Sequence, residues 1–219
     1  MENPSVKSFK LRGTRITSAQ LQAREQLWGN YGIDFQTMFL DLHSLFPGTM
    51  KVILEIGFGM GESTIMIAKN SPETGFLAVE VHQPGIGKLL AGIKESGLRN
   101  IRVMDEDAHL VLSSMIANDS LDGIYLFFPD PWPKTRHHKR RIVNEKFIEL
   151  AATKMKPEGF LHIATDWVPY AEWIKERFAQ SPRFAGGEVT RPDWRPLTRF
   201  EGQGLRKKHT VTDLLYKKI

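Results

Sequence analysis

Residues 52 to 61 read Val-Ile-Leu-Glu-Ile-Gly-Phe-Gly-Met-Gly. The first five residues are typical of a buried strand, and the pattern from Glu62 to Asn70 is typical of a helix. The glycines between them allow a tight turn and a close approach of the backbone to a ligand. The stretch therefore predicts a strand, a turn and a helix, with a binding site at the turn.

The same alternation continues along the chain. Further strand patterns occupy residues 75–81, 101–104, 121–127 and 159–164. Helical patterns separate them at residues 85–95, 108–117, 144–155 and 170–180. Strands that alternate with helices of this length form βαβ units, which build a mostly parallel sheet with helices on both faces. We therefore predict an α/β, Rossmann-like fold, in which ligands bind at the carboxyl ends of the strands.

The first 50 residues follow a different pattern. The stretch Thr17-Ser-Ala-Gln20 has the spacing of a capping box, which predicts a helix over residues 21–28 that ends at Gly29. A basic arm precedes this helix. We predict two parts: residues 1–50 form an arm with a short helix, and residues 51–219 form one α/β domain.

Composition restricts the location of the protein and the chemistry of its sites. The chain has 219 residues, 41% of them hydrophobic, which is enough for one sizeable core. The absence of cysteine excludes disulfides and thiolate metal sites. No apolar run approaches the roughly 20 residues that span a bilayer, and no secretory signal pattern is present. We expect a cytoplasmic protein with no membrane segment.

Charge is unevenly distributed along the chain. The total is +5, but residues 1–29, 134–141 and 191–219 carry +3, +5 and +5, which leaves −8 on the remainder. Solvated surface charge would explain any one of these segments alone. Together, an acidic body and three basic segments fit an extended polyanion better than a small anion. The distribution therefore favours a nucleic acid as partner.

The glycine turn is preceded by a carboxylate. Glu55 comes before Gly57, Gly59 and Gly61, whose Gly-x-Gly-x-Gly spacing differs from the dinucleotide pattern Gly-x-Gly-x-x-Gly. A carboxylate at this place repels a pyrophosphate, but it suits a cofactor that carries ammonium and sulfonium charges. The turn therefore favours S-adenosylmethionine over a nicotinamide dinucleotide.

Two further acids follow the next two predicted strands. Glu80 lies near the place where Rossmann-like folds put an acid on the ribose hydroxyls. Asp107 follows the third strand, where its carboxylate could accept a hydrogen bond from the adenine amino group. The alternative for Asp107 is a cap on the helix that begins at Ala108.

A proline-rich loop follows the fourth predicted strand. Residues 127–134 read Phe-Phe-Pro-Asp-Pro-Trp-Pro-Lys, so Asp130 lies in a stiff, non-helical loop. The turn and the strand-end acids resemble those of the class I, Rossmann-like methyltransferases. The chain is more narrowly similar to the bacterial, single-subunit tRNA (guanine-N7-)-methyltransferases through this loop and three other motifs: Arg-His-His-Lys-Arg-Arg at 136–141, Ala-Thr-Asp-Trp at 164–167 and Thr-Arg-Phe-Glu at 198–201.

This resemblance implies a role for each matching residue. Contacts to S-adenosylmethionine are implied for Glu55, Glu80, Asp107 and Asp130, and Asp130 is implied to be catalytic. Substrate contacts are implied for Lys134, Asp166, Thr198, Arg199, Phe200 and Glu201. Contacts to RNA are implied for Arg136, His137, His138, Lys139, Arg140 and Arg141. The implied reaction methylates a guanine in the variable loop of tRNA and yields 7-methylguanosine.

The chemistry of guanine N7 limits what the protein must supply. This nitrogen has an exposed lone pair and carries no proton, so methyl transfer requires in-line alignment but no general base. We therefore expect Asp130 or Asp166 to orient guanine by accepting hydrogen bonds from its N1–H and N2–H2 groups. Lys134 could contact a phosphate or the base edge. Aromatic residues at 132, 167 and 200 could stack on a displaced base, although such residues more often complete a core.

Other readings of the sequence remain open. A methyltransferase that acts on protein or on a small molecule would keep the same turn, but it would leave the basic segments unexplained. A catalytically silent RNA-binding protein would not need the intact glycine turn and its acids. The adjacent histidines at 137 and 138 lack acidic ligands nearby in the sequence, so no metal is predicted. We expect no second kind of subunit, and the sequence leaves open a monomer or a homodimer.

Overall fold

The structure is a computed structural model that describes residues 8–9, 15–197 and 210–219. Its described strands form one sheet in the order β3-β2-β1-β4-β5-β7-β6. The strands are β1 (Lys51–Ile56), β2 (Thr74–Val79), β3 (Ile101–Met104), β4 (Leu121–Phe127), β5 (Met155–Thr165), β6 (Phe184–Val189) and β7 (Thr212–Lys218). Strands β1 to β5 pair in parallel, and β7 is antiparallel to both of its neighbours. The predicted α/β fold with a mostly parallel sheet is confirmed.

Helices cover both faces of this sheet. They are α1 (Ser18–Tyr31), α2 (Leu42–Leu45), α3 (Glu62–Asn70), α4 (Gln83–Ser96), α5 (Ala108–Met115), α6 (Glu145–Lys154) and α7 (Val168–Ala179), with a 3-10 helix at Thr135–Arg140. Side chains of β1 divide between two core clusters, because successive residues of a strand point to opposite faces. Leu54 packs with residues of α5, α6 and α7, whereas Ile53 packs with residues of α3 and α4. In the described ranges, no helix has the length and apolar character needed to cross a membrane.

The predicted elements agree with the structure in type, and the differences lie mainly at their ends. Strands β3 and β4 have the predicted bounds. Strand β5 begins earlier than predicted, at Met155, because this residue pairs with Leu121 of β4. An irregularity follows, after which Gly123 pairs with Phe160. The capping box at Thr17 is confirmed, but the predicted helix end at Gly29 is wrong. Helix α1 continues to Tyr31, since Gly29 does not adopt the left-handed backbone that ends a helix at glycine.

Helix α1 packs directly against the sheet domain. A side chain at Gly87 of α4 would place its Cβ 2.3 Å from the carbonyl oxygen of Gln20. The Arg24 Nη2 group donates to Asp105 Oδ2 at 2.6 Å, and Gln83 donates to both oxygens of the same carboxylate. These contacts join α1 to the loop after β3 and to the start of α4. The division at residue 50 stays a prediction, but residues 15–50 are packed on the domain that follows.

A buried charged cluster joins the antiparallel edge to the core. Arg195 donates from Nε to Asp213 Oδ1 at 2.7 Å and from Nη2 to Oδ2 at 2.8 Å. The His162 Nε2 atom lies 2.8 Å from Asp213 Oδ1, and all three residues are at most 3% exposed. Burial alone would raise the pKa of Asp213, but hydrogen bonds from His162 and Arg195 outweigh it and hold the pKa below 3.8. The carboxylate is therefore charged at neutral pH.

Two cations of the basic C-terminal segment are internal. Arg195 belongs to the cluster above, and Lys218 is 7% exposed and donates to Asp119 Oδ1 and to the Met155 carbonyl oxygen. Their charges are matched within the protein, so they do not contribute to a surface for a polyanion. Residues 191–219 therefore present fewer positive charges at the surface than their sequence predicts.

Candidate active site

The glycine turn joins β1 to α3 in a conformation that side chains disfavour. Gly57 and Gly61 both have φ of +76°, in the left-handed region. The start of α4 packs against this turn so closely that a Cβ at Gly85 would lie 1.9 Å from the Gly59 carbonyl oxygen. A Cβ at Gly61 would meet the Leu89 side chain at 2.8 Å. The turn is therefore fixed in place by its own geometry and by α4.

A cavity of about 320 Å³ opens at the carboxyl ends of the parallel strands. Its lining includes Gly57 and Gly59 from the turn, Glu80 after β2 and Asp130 after β4. Four predicted site residues from three strand ends therefore meet at one cavity, as expected for a parallel sheet. Most of the remaining wall is apolar, with Ile56, Val79, Pro84, Leu126, Phe127, Phe128 and Ile142 among its residues.

Glu55 lies on β1 just before this turn, outside the described cavity lining, and is 3% exposed. Its Oε2 atom is buried and has no hydrogen-bond partner in the part of the chain that the structure describes. Burial raises the pKa of Glu55 to about 7; the nearby Thr64 hydroxyl opposes this shift, and the charge of Glu80 adds to it. A buried acceptor of this kind costs folding free energy unless a ligand satisfies it. An ammonium group bound next to the turn would do so, which fits the predicted cofactor.

Glu80 links the turn to the loop after β2. Its Oε2 accepts from the Gly59 N–H at 2.9 Å, and its Oε1 accepts from the N–H groups of Val81 at 2.7 Å and His82 at 3.1 Å. The carboxylate is thus held at the cavity wall by three backbone donors. A carboxylate oxygen can accept more than one hydrogen bond, so this arrangement leaves capacity for hydroxyl donors.

The acid that lines the cavity after β3 is Glu106. Asp107 is the N-cap of α5, and its Oδ1 accepts from the His109 N–H at 2.8 Å. Asp107 does not belong to the described cavity lining, whereas Glu106 does. The capping alternative is therefore observed for Asp107, and its predicted cofactor contact stays a prediction. The sequence analysis did not predict Glu106 as a site residue. Its position beside Asp107, at the same strand end, was the signal that could have indicated it.

The loop after β4 holds Asp130 at the cavity. Phe128 has φ of +54°, and its N–H donates to the Ala164 carbonyl oxygen on β5 at 2.8 Å. Trp132 is 9% exposed, and the Arg140 guanidinium lies 4.1 Å from the centre of its ring. The indole N–H donates to the carbonyl oxygen of Ser8 at 3.0 Å. Trp132 is thus a packing residue in this structure and presents no free face for a base.

Ser8 and Phe9 also line the cavity. The sequence reading placed these residues in a basic arm and missed this position. No local pattern indicates it, because the contact joins positions more than 120 residues apart along the chain. The arm therefore contributes to the wall of the site in addition to its charge.

The basic run forms the 3-10 helix Thr135–Arg140 directly after the Asp130 loop. Lys134, Arg136 and Lys139 are exposed, and His137, His138 and Arg140 are half-buried. Desolvation and the neighbouring cations hold the pKa of His137 below 6.5, which favours its neutral form. Arg141, in contrast, is only 3% exposed. Arg141 lines a second cavity together with His138 and Trp173, and its predicted RNA contact stays a prediction.

The remaining predicted substrate residues lie apart from the cavity lining. Asp166 is half-buried and follows β5, the strand next to β4, so it lies at the same sheet edge as Asp130. It does not line the described cavity. Thr198, Arg199, Phe200 and Glu201 lie outside the described residues.

Known proteins are similar to this chain in sequence along nearly its whole length. A family model described as putative methyltransferase matches residues 49–214. A tRNA (guanine-N(7)-)-methyltransferase of Streptomyces avermitilis is 49% identical over 98% of this chain and 76% of its own length. The protein of the same name from Nitrosomonas eutropha is 47% identical over 99% of this chain and 98% of its own. This chain belongs to the tRNA (guanine-N7-)-methyltransferase family.

Solved structures agree with the methyltransferase fold of this family. The 16S rRNA methyltransferase KamB has a TM-score of 0.58 at 15% identity, over 82% of this chain and 94% of its own. A putative methyltransferase from Streptococcus mutans, solved in complex with SAH, has a TM-score of 0.53 at 9% identity, over 94% of this chain and 100% of its own. The predicted class I methyltransferase fold is confirmed.

Glu55 gives this protein a pH-dependent stability. Between pH 4.5 and about 7 the folded chain retains a proton on Glu55 that the unfolded chain has lost, so the unfolding free energy falls as pH rises through this window. The loss is about 3 kcal/mol, since one pKa unit corresponds to about 1.4 kcal/mol. Glu55→Gln removes this titration. Urea unfolding without cofactor measures this effect: between pH 5 and pH 8, the unfolding free energy should fall more in the wild type than in Glu55→Gln.

The same residue should couple cofactor binding to proton release. An ammonium group beside Glu55 stabilises its charged form, so binding at pH 7 is expected to release up to about half a proton in the wild type and none in Glu55→Gln. Calorimetry in buffers of different ionisation enthalpy measures this difference. Equal proton release by both proteins, or equal pH dependence of their unfolding, would show that Glu55 titrates normally.

Proposed function

We propose that this chain transfers a methyl group from S-adenosylmethionine to N7 of a guanine in the variable loop of tRNA, which yields 7-methylguanosine. The observation that carries the proposal is the position of Asp130. It lies on the cavity wall, and the exposed cations begin only four residues later, at Lys134. A base presented at Asp130 would therefore lie between a cofactor cavity and a phosphate-binding surface. The names of the relatives support the substrate and the methylated atom.

Residues of the cavity wall and of the adjoining end of β1 and glycine turn fit the predicted cofactor. Glu55 would accept from the ammonium group, and the turn at Gly57, Gly59 and Gly61 would allow the backbone close to it. Glu80 would accept from the ribose hydroxyls while its backbone donors hold it in place. The adenine would be held near the loop after β3 by Asp107 or by Glu106, of which Glu106 lines the cavity. Bound S-adenosylmethionine supplies an electrophilic methyl group on a sulfonium ion.

The chemical step requires alignment and charge stabilisation from the protein. Guanine N7 has no proton to lose, so no side chain has to act as a base. Asp130 would accept from the N1–H and N2–H2 groups and fix the plane of the guanine, with Asp166 as the alternative at the neighbouring strand end. Methylation leaves a positive charge on the base, and the surrounding carboxylates stabilise that charge as it develops. The mostly apolar wall excludes water from the methyl group.

The basic 3-10 helix supplies the RNA surface in this proposal. Lys134, Arg136 and Lys139 are exposed and would neutralise phosphates, while His137, His138 and Arg140 would add donors. Thr198, Arg199, Phe200 and Glu201 complete the proposed substrate contacts. The proposal includes no second kind of subunit. A cytoplasmic location accords with tRNA as the substrate.

The test is methyl transfer from labelled S-adenosylmethionine to an unmodified tRNA transcript. We expect one methyl group per tRNA, at a single variable-loop guanine that chemical cleavage at 7-methylguanosine identifies. A transcript in which that guanine is replaced by adenine serves as the control and should accept no label. If both cofactor and tRNA bind but no methyl group is transferred, the acceptor assignment is wrong.

A further inference from the structure

Arg141 ends the basic run but differs from the rest of it in burial. It is 3% exposed, whereas Arg136 and Lys139 are exposed. Burying a guanidinium costs free energy unless its donors and its faces find partners. A cation with so little accessible surface is also less available to a phosphate than the exposed cations of the run. The function of Arg141 therefore has to be sought among its internal contacts.

The contacts of Arg141 connect the catalytic loop to α7. Its Nε donates to the carbonyl oxygen of Pro131 at 2.9 Å, and Pro131 directly follows Asp130. Its guanidinium carbon lies 5.0 Å from the ring centre of Tyr170 and 4.9 Å from that of Trp173. Both aromatic residues belong to α7, which begins two residues after Asp166. One side chain thus contacts both of the elements that follow the two candidate guanine-orienting acids.

The aromatic partners of Arg141 are themselves fixed. Tyr170 is fully buried, and its hydroxyl oxygen accepts from the Val143 N–H at 3.4 Å. The Trp173 indole N–H donates to the Val143 carbonyl oxygen at 3.0 Å. The Asn144 side chain donates to the Arg141 carbonyl oxygen at 3.2 Å. The guanidinium therefore rests against a rigid support, and its bond to Pro131 transmits that rigidity to the loop.

We propose that Arg141 is a positioning residue, which holds the Pro131 carbonyl so that Asp130 keeps its place relative to Asp166 and the cofactor cavity. This inference rests on the proposed function, because Asp130 is the residue whose position matters. Arginine suits the role and lysine does not, since only a planar guanidinium stacks on aromatic faces while its Nε donates in the same plane. The prolines at 129 and 131 remove backbone donors from the loop, so the loop relies on a donor from outside.

The test compares the same substitution at the buried Arg141 and at an exposed arginine outside the proposed site, Arg99. Arg141→Lys keeps the charge but loses the planar guanidinium that stacks on Tyr170 and Trp173. It is expected to lower kcat for tRNA methylation about 10- to 100-fold, because small misplacements of reacting groups reduce the rate by this much. Its KM for tRNA and the salt dependence of tRNA binding should match the wild type. Arg99→Lys, at an exposed arginine just before the amino end of β3 and away from the proposed site, should leave all three unchanged. Arg136→Gln should raise KM and reduce the salt slope by about 1, while kcat stays unchanged.

Three outcomes separate the possibilities. If Arg141→Lys keeps the wild-type kcat, or if its loss appears in KM and the salt slope, the positioning role is wrong. If Arg141→Lys does not fold, Trp173→Leu decides, because it removes one stacking face and leaves every exposed cation in place. That variant should lower kcat without raising KM, and an unchanged kcat would overturn the inference. If the wild type itself does not methylate tRNA, the proposed function fails instead.

Discussion

Replacing Asp130 with asparagine is expected to lower kcat for tRNA methylation about 100- to 1,000-fold, because it removes a preorganised charge at a site where positive charge develops. Asparagine keeps the size of the side chain, so the loop between Pro129 and Pro131 should retain its conformation. Its amide can accept only one of the two guanine hydrogen bonds and carries no charge to stabilise the methylated base. The measurement is single-turnover methyl transfer with both cofactor and tRNA at saturation.

The pH profile of this variant tests whether Asp130 orients the guanine or removes a proton from it. Guanine N7 has no proton to give up, so the residual rate of Asp130→Asn should follow the same pH profile as the wild type. Asp193→Asn is the matched control: it removes an exposed carboxylate that does not line the described cavity and should retain full activity. A wild-type rate that follows the ionisation of a required base, with that dependence lost in Asp130→Asn, would refute the orienting role.

Replacing Asp213 with asparagine is expected to lower the unfolding free energy by about 3–5 kcal/mol, the usual loss when one partner of a buried ion pair is removed. Asp213 receives two N–H groups of Arg195 and contacts His162, all inside the protein. An asparagine amide has one oxygen acceptor and no charge, so it cannot replace these interactions. Urea unfolding monitored by tryptophan fluorescence measures the loss.

An exposed ion pair provides the comparison for this loss. Lys175 contacts Glu188 at 3.1 Å near the same edge of the sheet, but the Glu188 side chain is 58% exposed. Glu188→Gln should therefore change the unfolding free energy by less than about 1 kcal/mol. Replacing both Arg195 and Asp213 with apolar residues should cost less than Asp213→Asn alone, since no charge remains buried. Similar small losses for Asp213→Asn and Glu188→Gln would mean that water reaches the cluster.

Local patterns predicted the parts of the site that lie within one strand–turn unit. The apolar run before Gly57, the glycine spacing and the acid at the end of each strand are features of a few adjacent residues. Parallel topology then brings such strand ends together without further information. The meeting of Gly57, Glu80 and Asp130 at one cavity follows from this rule. The family membership was predicted in the same way, from short motifs in a fixed order.

Features that depend on contacts between distant residues were not predicted. Arg141 has the same sequence context as Arg140, and only the neighbouring α7 makes its burial possible. Phe9 lines the cavity through a segment whose local pattern is merely basic and polar. Strands β6 and β7 were missed because glycines at 186 and 187 and the lysines at 217 and 218 obscure the apolar alternation. Their pairing is antiparallel and lies outside the βαβ rule.

The position of β7 has a consequence for the synthesis of the enzyme. This strand lies between β5 and β6, so β6 has no described neighbour in the sheet until residues 212–218 have left the ribosome. Until then Asp213 is also missing from the cluster that contains His162 and Arg195. A nascent chain therefore carries its glycine turn, the Asp130 loop and the basic helix well before the sheet beneath them can close. A chain that ends before residue 212 is therefore expected to lack the proposed activity.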